Sequence, residues 1–230
     1  SIVRLCESTK QGGAVYLVGN GGSAVMLLTS STMDSNKGTL GGAVFVASGG
    51  AVEVAEGTTS YLKNNIATSF GGGILIHGQS SSLKVTGVGT QLVVDGNTAA
   101  TAGGGIYAFG EASLLVSDGG HLNVSNNEAS SSYGGGIYVE TSGTILKISG
   151  IGTKVTVTGN MAQQYGGGAF MQTACTMVVS DGAQVIVADN AAELYGGGLF
   201  AKDTETYFNV TGAGTQVSFI GNRAASRGGG

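Results

Sequence analysis

Proline and tryptophan are absent from this chain, and charged residues make up 10 % of its 230 positions, where an ordinary domain carries roughly 25 %. Net charge is −4 and no basic cluster occurs, which excludes the electrostatic footprint of a nucleic-acid partner. No run of about 18 apolar residues is free of glycine, so no transmembrane helix is predicted. Ser1 opens no signal-peptide pattern. The bare triple glycine at the other end reads, with Ser1, as a cut in a longer array or as the boundary of a mature product. The two cysteines, Cys6 and Cys175, lie about five repeats apart. At ~4.8 Å per stacked layer that is roughly 24 Å, beyond disulfide reach. They are read as free thiols, with Cys175 a small core residue, unless they pair between chains.

Glycine, by contrast, is abundant: 44 residues. Mean hydropathy of +0.23 argues against disorder, and the glycines are periodic. Runs of two or three end at Gly13, Gly42, Gly73, Gly105, Gly136, Gly168, Gly198 and Gly230, spaced by 29 to 32 residues. Such a period marks a stacked-repeat architecture, one continuous domain over 1–230.

Within each unit three segments alternate with period two, the mark of strands with one buried face. The unit from Gly136 shows them as 136–140, 145–149 and 154–158. The second segment places Leu83 and Val85, Leu114 and Val116, Leu146 and Ile148, Met177 and Val179, and Phe208 and Val210 inward. The third does so with Leu92 and Val94, Leu122 and Val124, Val155 and Val157, Val185 and Val187, and Val217 and Phe219. The fold class is therefore all-β: a parallel β-helix of about seven triangular coils of ~31 residues, three short strands per coil, stacked at the parallel-strand spacing. Its winding is right-handed by the crossover rule.

After the third strand comes an asparagine in each of six units: Asn65, Asn97, Asn127, Asn160, Asn190 and Asn222. Asparagine suits a sharp corner, and stacked carboxamides bond one another between layers, so these form a structural ladder. The corner between strands two and three alternates between Gly-x-Gly-Thr and Ser-Asp-Gly forms, giving a true repeat of two coils.

The unit Gly159-Asn160-Met161-Ala162-Gln163-Gln164-Tyr165-Gly166-Gly167-Gly168-Ala169-Phe170 resembles the Asn and Gly-Gly-Ala-Ile-type repeats of polymorphic outer-membrane proteins and related autotransporter passengers. That resemblance extends over nearly the whole chain and implies an extracellular β-helical adhesin on a cell surface. The chain departs from the pattern in having Gly-Asn or Asp-Asn where the family often carries a phenylalanine three positions before the asparagine.

Candidate chemistry is thin. Asp118 and Asp181 sit at one corner two coils apart, roughly 10 Å by the layer spacing, near the ~6.5–9.5 Å carboxylate separation of inverting glycosidases. Each, however, lies in a Ser-Asp-Gly turn signal. His77 and Glu140 share an outward column with Phe109 between them. Acidic residues do not recur in one column and the calcium-binding repeat is missing, so no metal or other cofactor is expected. Gly87-Val88-Gly89 has no helix behind it and is a corner.

Strand one is apolar on both sides. With Ala14 and Ala43 facing inward, the outward column is Val15, Val44, Leu75, Tyr107, Tyr138, Phe170 and Phe200. Beside it stand Phe70, Tyr133, Tyr165 and Tyr195. This is a candidate contact stripe, unless another segment covers it or the aromatics point inward.

The leading function is a non-catalytic extracellular structural or adhesive β-helix, whose partners are a cell-surface polymer or itself. A carbohydrate-binding or polysaccharide-processing β-helix is the alternative. Ice binding through the hydroxyl column Thr86, Ser117, Ser149, Ser180 and Thr211 is a third. Sequons at Asn123 and Asn209 predict N-glycans if the source is eukaryotic. End-to-end assembly is expected from unblunted coil edges, with Ser1–Leu5 of a neighbouring copy supplying the next first strand.

Overall fold

The computed structural model describes residues 1–22 and 24–229. They form a parallel β-helix with no helical segment. One coil shows the plan: Ile137–Glu140 on the first face, Ile145–Ser149 on the second, Lys154–Thr158 on the third and Met161–Ala162 on a fourth. Each face is a sheet of stacked strands, seven, seven, eight and seven in that order. The triangular plan thus gains a short fourth side. Its strands shrink to two residues, such as Thr98–Ala99 and Glu128–Ala129, too short to display an alternating pattern. Ile2–Arg4 pairs with Thr32–Asp34 on the third face. Ser1–Leu5 is therefore not placed to continue a first-face strand, contrary to the expectation above.

The interior is a set of in-register apolar columns. Leu92, Leu122, Val155 and Val185 stack on the third face; Leu83, Leu114, Leu146 and Met177 stack on the second. Most interior side chains are 0–3 % exposed, each contributing roughly 1.5–3 kcal/mol through burial.

The corners set the register. At the third corner, Oδ1 of Asn65 accepts from both the backbone N–H and the Nδ2 of Asn36, each at 2.9 Å. The same double bond links Asn65 to Asn97, and on through Asn127, Asn160 and Asn190 to Asn222. The second Nδ2 hydrogen goes to a third-strand carbonyl of the preceding coil, as from Asn127 to Val94 O at 2.9 Å. From Asn36 to Asn190 both carboxamide hydrogens are thereby used, whereas Asn222 bonds only Val187 O. Asn36 extends the ladder one coil beyond the six asparagines read from the sequence, and Cys6 heads the column by donating its N–H to Asn36 Oδ1 at 3.0 Å.

Across the interior, the glycine corner faces this ladder. A Cβ on Gly105 or Gly136 would meet a ladder carboxamide at 3.0 Å, and one on Gly104 or Gly135 would lie 2.3 Å from a backbone oxygen of the next coil. In the first two coils Ala43 stands level with Gly73, and Val15 and Val44 consequently join the interior column of Ile74.

The two-coil period has a structural cause. Tight corners at Ser48-Gly49, Gly110-Glu111 and Thr173-Ala174 hold both residues at positive φ. In each, the second N–H is bonded by a hydroxyl of the following coil's longer corner: Gly49 to Ser81, Glu111 to Thr144, Ala174 to Thr206, all at 3.1 Å. The next corner repeats the device, with Gly57, Gly119 and Gly182 donating to Thr90, Thr153 and Thr215. Ser81, Thr90, Thr144 and Thr153 are at most 1 % exposed. At five of these six corners a short turn leaves a donor unmet and the longer turn of the next coil supplies the oxygen; the Gly57 corner, 55–58, is as long as its partner at 87–90.

Asn127→Ala removes the acceptor for two donors of Asn97. Leaving buried polar groups unsatisfied costs ~1–3 kcal/mol each, so urea unfolding should show a loss of at least ~2 kcal/mol. Substitution at the exposed Lys147 should change stability by under ~0.5 kcal/mol.

Candidate functional site

The outward column of the first face runs Tyr16, Phe45, Leu75, Tyr107, Tyr138, Phe170 and Phe200. Five members of the expected stripe are thus in place, but Val15 and Val44 belong to the interior and are replaced by Tyr16 and Phe45. The misplacement has one origin: Ala14 and Ala43 occupy the third-glycine position, shifting the strand by one residue.

This column is not an open surface. Phe45, Leu75, Tyr107, Tyr138 and Phe170 are 0–5 % exposed. Their cover is the column preceding the glycines, which continues through single bridges from Phe70 by way of Ala102 to Tyr133, Tyr165 and Tyr195. Tyr133 lies 5.0 Å from Phe170 and Tyr165 lies 5.3 Å from Phe200, centroid to centroid. Along the axis Tyr133, Tyr165 and Tyr195 stack at 5.3 Å with planes within 7°. The two columns form a second, external core, in which each ring pair adds roughly 0.5–1.5 kcal/mol beyond area burial. The contact-stripe expectation is corrected accordingly: of the outward column only the end residues, Tyr16 at 56 % and the half-buried Phe200, present appreciable ring surface to solvent, and the surface between them belongs to the half-buried Phe70, Tyr133, Tyr165 and Tyr195 of the covering column.

At the rim of this layer Glu140 gathers polar partners that no sequence motif announces. Its carboxylate accepts from the hydroxyls of Tyr107 and Tyr138 and from Nε2 of Gln172 at 2.9 Å. Burial first, then the Glu140 charge, pushes both phenols well above the ordinary tyrosine range. The column continues through Phe109, stacked on His77 at 4.2 Å. Three long side chains thus close over one carboxylate.

The remaining candidates are turn and surface residues. Asp118 and Asp181 are exposed, hold positive φ (54° and 56°), and accept from Ser117 and Ser180 at 2.7 Å. Those two serines are 7 % exposed, so the hydroxyl column is not a flat presented array. No cluster of three metal-ligating residues occurs among the described residues. Asn209 is exposed, whereas the amide oxygen of Asn123 is enclosed. Cys175 donates to Val139 O at 3.4 Å and burial pushes its thiol up to about 11, which keeps it protonated and unreactive.

The repeat model of the Chlamydia polymorphic membrane protein matches residues 91–108, a stretch running from a third-face strand through Asn97 and the glycine corner to Tyr107. The chain is similar to that repeat over this one unit. No curated protein and no solved structure matches it.

The raised phenols make a pH prediction. Unfolded tyrosine ionises near pH 10, while folded Tyr107 and Tyr138 stay protonated. Their contribution is therefore fully present below about pH 10 and is lost as pH rises beyond it. Phenolate absorbance of the native protein should show a fraction that ionises only on unfolding, and this fraction should vanish in the Tyr107→Phe, Tyr138→Phe double variant. Complete ionisation near pH 10 without unfolding would contradict the burial assigned to these rings.

Proposed function

We propose that this chain is a non-catalytic structural and adhesive β-helix displayed on a bacterial surface. The observation carrying this reading is how the side chains are employed: columns, ladder and corner hydroxyls hold coil to coil, and the aspartates nearest to a glycosidase spacing are bound by their own turn serines. Similarity to an outer-membrane protein repeat supports the setting, since such a rod projects outward faces away from a cell. Beads coated with the folded chain should attach to epithelial monolayers several-fold more than beads carrying an unrelated β-helix of similar charge; equal attachment would contradict adhesion. Polysaccharide cleavage that disappears in Asp118→Ala or Asp181→Ala would instead establish the enzymatic alternative.

A further inference from the structure

The outward side of the third face holds a recess of about 200 Å³ lined by Gln91, His121, Leu122, Asn123, Lys154 and Thr156. Strand register builds it from three consecutive coils. Gln91, His121 and Lys154 stand in one column, and Asn123 and Thr156 in the next. Although the chain is acidic, no carboxylate lines this place.

Three of its groups have unused capacity. Lys154 takes part in none of the ion pairs among the described residues. The Nε2 of His121 is 3.2 Å from Gly152 O; a carbonyl only accepts, so this nitrogen donates and a neutral ring keeps Nδ1 as an acceptor. The Oδ1 of Asn123 is buried with no hydrogen-bond partner among the described residues, a costly state that native structures rarely tolerate. That oxygen has no surface of its own, so a ligand group reaches it once the side chain turns toward the recess.

We propose that this recess binds one residue of an acidic saccharide of the hexuronate type, with the carboxylate on Lys154 and ring hydroxyls on Asn123, Thr156 and Gln91. The inference rests on the adhesive reading and names its ligand class. A simple anion satisfies Lys154 but brings no donor for Asn123 Oδ1. A neutral sugar brings the donor but leaves the cation unmatched. An acidic sugar carries both on one small frame. The lysine column continues through Gln184 and Gln216, so further sugar residues can follow the face along the axis.

Calorimetric titration with tetragalacturonate tests this, with maltotetraose and inorganic sulfate as controls. Binding of tetragalacturonate should weaken at least tenfold in Lys154→Gln and in Asn123→Ala, weaken with added salt, and stay unchanged in Lys147→Gln on the second face. Circular dichroism of the variants should match the parent. Absence of binding, binding unaffected by Lys154→Gln, or equal binding of maltotetraose would overturn the proposal. If coated beads still adhere while tetragalacturonate fails to bind, the recess assignment falls and the adhesive reading stands. If the sugar binds but beads do not adhere, the reverse holds.

Discussion

Everything in this molecule depends on one buried interaction, the carboxamide ladder of the third corner. A coil that turns sharply must leave backbone N–H groups without partners in its own layer, and inside an apolar stack there is no water to receive them. Each asparagine from Asn36 to Asn190 accepts the N–H of the coil before it and returns both of its own hydrogens to that stack, as Asn97 does through Leu62 O and Asn127 Oδ1. A shift by one residue would break every such bond at once and turn the interior columns outward. The ladder therefore fixes register as much as it stabilises. The paired corner hydroxyls follow the same rule with a different oxygen, which is why corner lengths alternate and why the smallest true repeat is two coils.

The same stacking accounts for what is on the outside. Repeating a strand with apolar residues on both sides gives a long outer apolar column, an aggregation hazard if left open. A second aromatic column, brought alongside by the glycine corner, covers it. The first face is consequently a thickened wall, and the surfaces with freedom to vary are the outward columns of the second and third faces. Glu140 with its two tyrosines seals the rim of that wall.

Much of this was legible in the residues. The second and third faces could be read strand by strand, because five residues suffice to show a period of two. The fourth face was not, because Ala129 or Ala162 with one neighbour shows no period at all. The outward stripe was misplaced in its first two members since alignment on glycine counts treated Ala14 and Ala43 as strand residues; only the bonding of Ala43 N–H to Gly73 O reveals them as corner residues. Asn36 was missed in the ladder because Gly38 stands two residues on, where an alanine follows each later asparagine, and Cys6 because it brings only its backbone N–H to the column. The Glu140 network and the recess around Asn123 join side chains about 30 residues apart through stacking, and no local pattern encodes them. Spacing located the buried aromatics but could not say which column covers which.

The central claim is that ladder bonds are as deeply protected as the strands they connect. Native-state amide hydrogen exchange measures this directly. The backbone N–H groups of Asn65, Asn97, Asn127 and Asn160 should exchange only through global unfolding, at rates matching Leu122 and Val124 in the core. Exchange of those four amides orders of magnitude faster than the core strands would contradict the account, since corners that open locally cannot be what holds the coils in register.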